Sequence, residues 1–570
     1  MSTLISLVRH EVLSAVQACA AQRGWNVTAD TDIEVGRPNP NRPDFGDFST
    51  NAALTLAAQL RRQNLSVPPR TVAEQIVACW PAESVLAARD IAGPGFINLT
   101  VDPDWFRART AQILIAPERV GTLAMGRGQS CQVEFVSANP TGPLHFGGAR
   151  NAVLGDTLAR ILEAADYRVQ REFYVNDAGS RFDVFVESLR AAYLQHHGYD
   201  AAVPVDGYGG AYMRDYAKTL IDAVGNQVVD TALPEALSRL RPIALEIVLA
   251  DVCDEVSTIG VYFDRWFREQ TLHDAGEVQA GIDRLAEAGA TYEKDGAVWF
   301  AASRYAGMDQ DIVLVRSNGA PTYFAADVAY HRDKFEKRGL DRVIDVWSVD
   351  HQGHVPRMKA VMQALGLEPE RLQIVLYDLV KLARQGVEVT MSKRSGQFLT
   401  LREVVAEVGA DAVRFMLLTR APESALEFDL EEVKAQNQDN PVYFVQYSHA
   451  RLCSILKRAA EAGLGVPTED ADIDGLVRTQ LQHAAEMALM KTLLSFDEEL
   501  ELAVNRLSPH NLPYYAVRIA STVNAFYRDC RVLDVQKPDL TRARLLLCTA
   551  SRIVLARVLG LLGVTAPEAM

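Results

Sequence analysis

Two short segments carry side chains suited to gripping a phosphate. The first is Pro143-Leu144-His145-Phe146-Gly147-Gly148-Ala149-Arg150, which runs straight into a helical pattern. A helix N-terminus presents unpaired N–H groups and partial positive charge, so it suits an anion. His145 can donate to a phosphate oxygen, and Gly147 and Gly148 let a phosphate or a flat base approach the backbone. The second is Val389-Thr390-Met391-Ser392-Lys393-Arg394-Ser395-Gly396, where two adjacent cations sit among small residues. That composition suits a clamp on a polyphosphate. Each segment taken alone also fits a plainer reading: a tight turn capped by His145, and an exposed basic turn.

The surrounding elements decide between these readings. Cys131–Val136 reads as a strand, Ser137–Pro143 as a loop, Ala149–Ala165 as a helix and Arg168–Tyr174 as a strand. Strand, loop, helix, strand is a βαβ crossover, the unit of a doubly wound parallel (Rossmann-type) sheet. Further strands are expected at Ile312–Arg316, Arg342–Trp347 and Leu372–Tyr377, and a mostly helical insertion at 180–300. Residues 1–110 read as a small α/β unit: helices at Leu4–Ala21, Asn51–Gln63 and Thr71–Cys79, and strand-like Asp32–Val35 and Phe96–Leu99. From Ala410 onward the helical pattern is almost continuous. The predicted architecture is α/β, in three domains: 1–110, a sheet domain at 111–410, and an all-α bundle at 411–570.

A chain of 570 residues is too long for one compact core. No apolar run reaches the roughly 18 residues a membrane span needs, and the start lacks the pattern of a secretory signal. We therefore expect a cytoplasmic protein with no membrane partner. The seven cysteines form no C-x-x-C pair, which reads as buried free thiols and no protein-held metal. The net charge is −15, yet in 502–570 the basic residues Arg506, Arg518, Arg528, Arg531, Lys537, Arg542, Arg544, Arg552 and Arg557 outnumber the acids. Binding follows the local field rather than the sum, although a solvated helix surface would look the same.

Together, the histidine at the start of the helix and the Met-Ser-Lys loop resemble the two ATP motifs of class I aminoacyl-tRNA synthetases. The stretch Val133–His145 resembles the arginyl-tRNA synthetases more narrowly. So do Phe173-Tyr174-Val175-Asn176-Asp177-Ala178-Gly179 and Asp439-Asn440-Pro441-Val442-Tyr443-Phe444-Val445-Gln446-Tyr447. The similarity runs from Phe45-Gly46-Asp47 and Gly93-Pro94-Gly95-Phe96-Ile97-Asn98 to the helical tail. Two departures stand out. The family's first motif usually has a second histidine where this chain has Gly148, and its second often begins with lysine where this chain has Thr390. Arg150 or Arg394 is a candidate to compensate.

The resemblance implies an ATP-dependent enzyme that joins arginine to tRNA, with Mg²⁺ arriving on the ATP. It implies catalytic roles for His145 and Lys393, and ATP binding by His145, Gly147, Gly148, Met391, Ser392, Lys393 and Arg394. For arginine it implies Glu134, Ser137 and Asn139 at the α-amino and carboxylate end. Asp327 would face the guanidinium, with Tyr323 packing beside it and His351 completing the pocket. For tRNA it implies Phe96 and Asn98 in the N-terminal unit and Tyr447 in the helical tail. A monomer is expected. The alternatives are a class I synthetase for another amino acid, a non-catalytic RNA-binding relative, and a nucleotidyltransferase that shares only the ATP motifs.

Overall fold

The computed structural model describes residues 3–26, 33–38, 45–389 and 399–570. The Met391-Ser392-Lys393-Arg394 segment and Thr390 lie outside them, as does Arg394's candidacy to compensate.

The N-terminal unit is built on the helix Leu4–Arg23. Thr3 caps it by accepting the Ser6 N–H, and Gly24 ends it at φ 65°. It packs on a four-stranded antiparallel sheet ordered Val35–Gly36, Phe48–Thr50, Phe96–Val101, Leu86–Ala92. Val8, Val12, Phe48, Leu56, Ile76 and Leu99 are among its core side chains. The strand Leu86–Ala92 has the composition Leu-Ala-Ala-Arg-Asp-Ile-Ala, which favours helix by propensity. Only pairing with Phe96–Val101 makes it a strand.

The central sheet has five strands, all parallel, in the order Leu372–Tyr377, Arg342–Ser348, Ser130–Glu134, Arg168–Val175, Arg265–Arg268. The chain starts in the middle, builds to one edge, then returns to build the other. The switch point falls between Ser130–Glu134 and Arg342–Ser348, where doubly wound sheets place their ligands.

Three expectations change. The insertion is mostly helical, over Ser180–His196, Tyr212–Val224, Leu233–Ser257, Gln270–Asp274 and Glu277–Glu287, but strands interrupt it. Arg265–Arg268 rejoins the sheet as an edge strand. Asp177 pins that edge, accepting from Arg268 Nε at 2.7 Å and the Gln270 N–H at 2.9 Å. Ile312–Val315 is not in the parallel sheet; it completes an antiparallel meander with Ala297–Phe300 and Thr291–Lys294. The tail is interrupted by the strand Leu426–Asp429, which pairs with Val380–Arg384. The continuous helices begin later, at Pro441–Glu461, and end with Pro538–Leu562.

The bundle shares one hydrophobic core with the parallel sheet. Their junction is Arg414, which is 1% exposed. Its guanidinium donates to Leu562 O and Ile259 O, each at 2.8 Å, and to Asp156 Oδ2 at 2.6 Å. Leu4–Arg23 and Pro538–Leu562 are, by length and composition alone, apolar enough to cross a membrane. Here they contribute buried residues to the two cores. All seven cysteines are free, but not all are buried: Cys253 is exposed, and Cys79 and Cys453 are half-buried.

Candidate active site

Just past Glu134 the backbone breaks sharply. Val136 has φ 66° and Ser137 φ 40°, a region that disfavours any side chain and a β-branched one most. The strain is held by Asn151, from the first turn of the helix Ala149–Ala164. Its Oδ1 accepts the Val136 N–H at 2.6 Å, and its Nδ2 donates to Val346 O on the neighbouring strand at 3.0 Å. One amide thus fixes the loop to both strands of the switch point. Asn151 and Val136 were not singled out from the sequence. An asparagine in the first turn of a helix with a strong apolar face is the signal that was available.

His145 Nδ1 accepts the Gly147 N–H at 2.8 Å, capping the 3₁₀ turn Phe146–Gly148 that leads into the helix. This bond leaves the neutral imidazole's proton on Nε2, the atom that would reach a phosphate. A Cβ on Gly147 would lie 2.8 Å from His145 Nδ1, whereas one on Gly148 would meet nothing within 4 Å among the described residues. Among the described residues, no side chain fills the space next to Gly148. Arg150 does not compensate. It is buried, and its guanidinium is taken up by the carbonyls of Asp378, Ser424 and Ala421, each at 2.8 Å.

Beside this turn lies a cavity of about 560 Å³, lined among others by Glu134, Ser137, Asp327, Asp350 and His351. Glu134 is held from two sides: Ser137 Oγ donates to Oε1 at 2.9 Å and Lys334 Nζ to Oε2 at 2.6 Å. Lys334 is fully buried and also donates to Asp345 at 2.9 Å. Burial works against its charge, but Asp345 and Glu134 hold its pKa above the usual lysine value. Asp345 is held down at about 2: burial opposes ionisation, and the Lys334 ammonium and His331 overcome it. Lys334 lies in the π-helical turn Asp333–Lys337, which helical periodicity could not place.

Asp327 sits on the helix Tyr323–Arg332 and meets His354 Nε2 at 3.1 Å. Glu269, 4% exposed, reinforces it. Burial first, and then the Asp327 charge, push the Glu269 carboxyl above its ordinary range. Tyr174, which lines the cavity, is raised well above its usual value by burial and by the same two acids. Two neighbouring carboxylates that repel each other, with Asp327 in the cavity wall, favour a cation there. Glu269 was missed because Arg265–Arg268 was not recognised as a strand.

Two predicted arginine-site residues lie outside the cavity lining. Asn139 is exposed, with its carbonyl accepting the Thr141 N–H at 2.8 Å. Tyr323 is 57% exposed, one turn before Asp327 on the same helix.

Of the residues assigned to RNA, Phe96 is 42% exposed and Tyr447 44%, so neither is a core aromatic. Phe96 shares a cavity of about 570 Å³ with Arg9, Arg37 and Asn51. Asn98 is buried on the same strand, two residues on and so on the same face. Tyr447 stacks on Tyr443 at 6.2 Å and lines a cavity with Arg451, Arg458 and Tyr527. The basic excess of the tail is partly neutralised: Arg518, Arg528 and Arg544 pair with Glu499, Asp529 and Glu486.

Three family models match the chain. "Arginyl tRNA synthetase N terminal domain" covers 6–101, "tRNA synthetases class I (R), catalytic domain" covers 110–213, and "DALR anticodon binding domain" covers 445–570. The chain is 45% identical over 560 residues to the arginine–tRNA ligase of Desulfitobacterium hafniense, covering 98% of this chain and 97% of that one. It is 42% identical over 571 residues to that of Carboxydothermus hydrogenoformans, covering both completely. Its fold is similar to that of the arginyl-tRNA synthetase of Thermus thermophilus, with a TM-score of 0.76 at 23% identity over 99% of this chain and 100% of that one.

Proposed function

The chain belongs to the arginine–tRNA ligase family, and from that premise we propose how its residues divide the reaction. It charges tRNA with arginine at the expense of ATP. In the first step an arginine carboxylate oxygen attacks the α-phosphorus of ATP and pyrophosphate leaves. In the second the terminal ribose hydroxyl of the tRNA attacks the activated carbonyl and AMP leaves.

The observation that carries the assignment is the single cavity at the switch point, with Asp327 in its wall and Glu134 and Ser137 beside it. A guanidinium is planar and permanently charged, so a carboxylate can meet it with two parallel bonds. Asp327 takes that role, with Glu269 adding field from behind Tyr174 and Tyr323 covering the mouth. Glu134, steadied by Lys334, accepts from the α-ammonium together with Ser137. Asn139 and His351 serve the carboxylate end.

His145 and the N–H groups of Gly147 and Gly148 face the phosphates. Met391, Ser392, Lys393 and Arg394 complete the grip on the phosphates, with Lys393 stabilising the charge that builds on departing pyrophosphate. The first step needs little covalent work from the protein, so positioning and charge stabilisation carry it. Mg²⁺ enters with ATP as part of the substrate. Phe96 stacks on an unpaired base at the outer corner of the tRNA, Asn98 reads beside it, and Tyr447 stacks in the anticodon region. Activation waits for bound tRNA, and the working form is a cytoplasmic monomer without a membrane partner.

The test is Asp327→Ala. Arginine KM should rise about a hundredfold, while ATP binding stays intact. Efficient charging by this variant would mean the pocket is wrongly assigned. Lys393→Ala should lower ATP–pyrophosphate exchange by about a hundredfold or more.

A further inference from the structure

One side chain of the helical insertion touches both halves of the nucleotide turn. Glu255 lies near the end of the helix Leu233–Ser257 and is 1% exposed. One of its carboxylate oxygens accepts the Leu144 N–H at 2.5 Å and the other the Arg402 N–H at 3.2 Å. Leu144 precedes His145, and Arg402 lies in the first turn of the helix Leu401–Val408.

Between these points the two segments pair directly. The Phe146 N–H donates to Leu399 O and the Leu401 N–H to Leu144 O, each at 3.1 Å, and His145 faces Thr400 across an isolated bridge. The Glu255 carboxylate closes this short ladder at its end. A second layer braces it: the Arg402 guanidinium pairs with Asp251 at 3.0 Å and Asp254 at 2.9 Å, both on the Glu255 helix. Tyr216, on Tyr212–Val224, donates to Asp251 at 2.5 Å.

A buried carboxylate is costly unless it is well bonded, and this one is aimed at two backbone donors on separate segments. No neutral residue reproduces that. Glutamine would turn its NH₂ toward one of the two N–H groups, and aspartate is one methylene too short to span them.

We infer that Glu255 is a positioning residue for ATP, through which the insertion locks the His145 turn against residues 399–402. This rests on the assignment of His145 to the phosphates. It gives the helices Ser180–His196, Tyr212–Val224 and Leu233–Ser257 a task in the first chemical step, remote from the arginine pocket.

The experiment is ATP–pyrophosphate exchange on full-length Glu255→Gln with tRNA present, alongside His145→Ala. Losing one charge-assisted bond should lower kcat for exchange, or raise ATP KM, roughly tenfold, with arginine KM within about twofold of the parent. Glu255→Asp should not rescue it. An unchanged exchange rate, or ATP and arginine parameters that worsen together, would overturn the inference. If Glu255→Gln does not fold, the half-exposed Arg402→Gln should move ATP parameters in the same direction, and no effect there overturns it equally. Loss in His145→Ala without loss in Glu255→Gln removes only this inference. No loss in His145→Ala removes the ATP-site reading as well.

Discussion

Charge and space at single positions make two sharp predictions. Burial first, and then the neighbouring Asp327 charge, push the Glu269 carboxyl up, so a guanidinium bound as proposed would relieve a repulsion already present. Glu269→Gln should raise arginine KM several-fold, less than Asp327→Ala, because Glu269 is not among the cavity-lining residues. Steady-state charging over a range of arginine concentrations measures both, and equal effects would mean that Glu269 touches the substrate. At Gly148 an added Cβ meets none of the described residues within 4 Å. Gly148→His should therefore fold with an unchanged melting temperature, and a fall of several degrees would show that the space is filled. The family resemblance pointed to Asp327, and the structure puts that residue in the cavity wall. Lys334 and Glu269 were not legible in the sequence, since a π-turn and a four-residue edge strand bring them to the site, and neither has a sequence period to betray it.

Elements set the pH response. Burial raises the Glu255 carboxyl to about 7, and Asp251 adds to the rise; the Leu144 and Arg402 N–H groups and the Arg402 charge oppose it. An unfolded glutamate titrates near 4.5, so between about 4.5 and 7 the folded chain binds more protons than the unfolded one. This group's contribution to stability is therefore full below that window and falls as pH rises through it. Melting temperature against pH should lose that component of its slope in Glu255→Gln; parallel curves would contradict the assignment. The elements most legible in the sequence were Ser130–Glu134, Ala149–Ala164 and Arg342–Ser348, where short strand-like apolar patterns or a clean 3.6 period dominate. Leu86–Ala92 and Leu426–Asp429 were missed because partners distant in sequence make them strands.

At the scale of the molecule, the last helix ends against the catalytic sheet domain at a crowded point. Gly563 has φ 67°, and a Cβ there would fall 2.3 Å from the Arg414 guanidinium. Gly563→Ala should destabilise the protein by about 2 kcal/mol or more. Gly560→Ala, one turn earlier with none of the described residues within 4 Å of its Cβ, should instead stabilise it by up to about 1 kcal/mol. Denaturant unfolding of the pair checks both signs.

The Arg414 knot has a mechanical reading. It fastens the tip of Pro538–Leu562 to Asp156, midway along the same rod, Ala149–Ala164, whose other end begins beneath His145. A tug on the far bundle is thus transmitted along stiff rods, with no soft joint at the knot, to within two turns of the His145 turn.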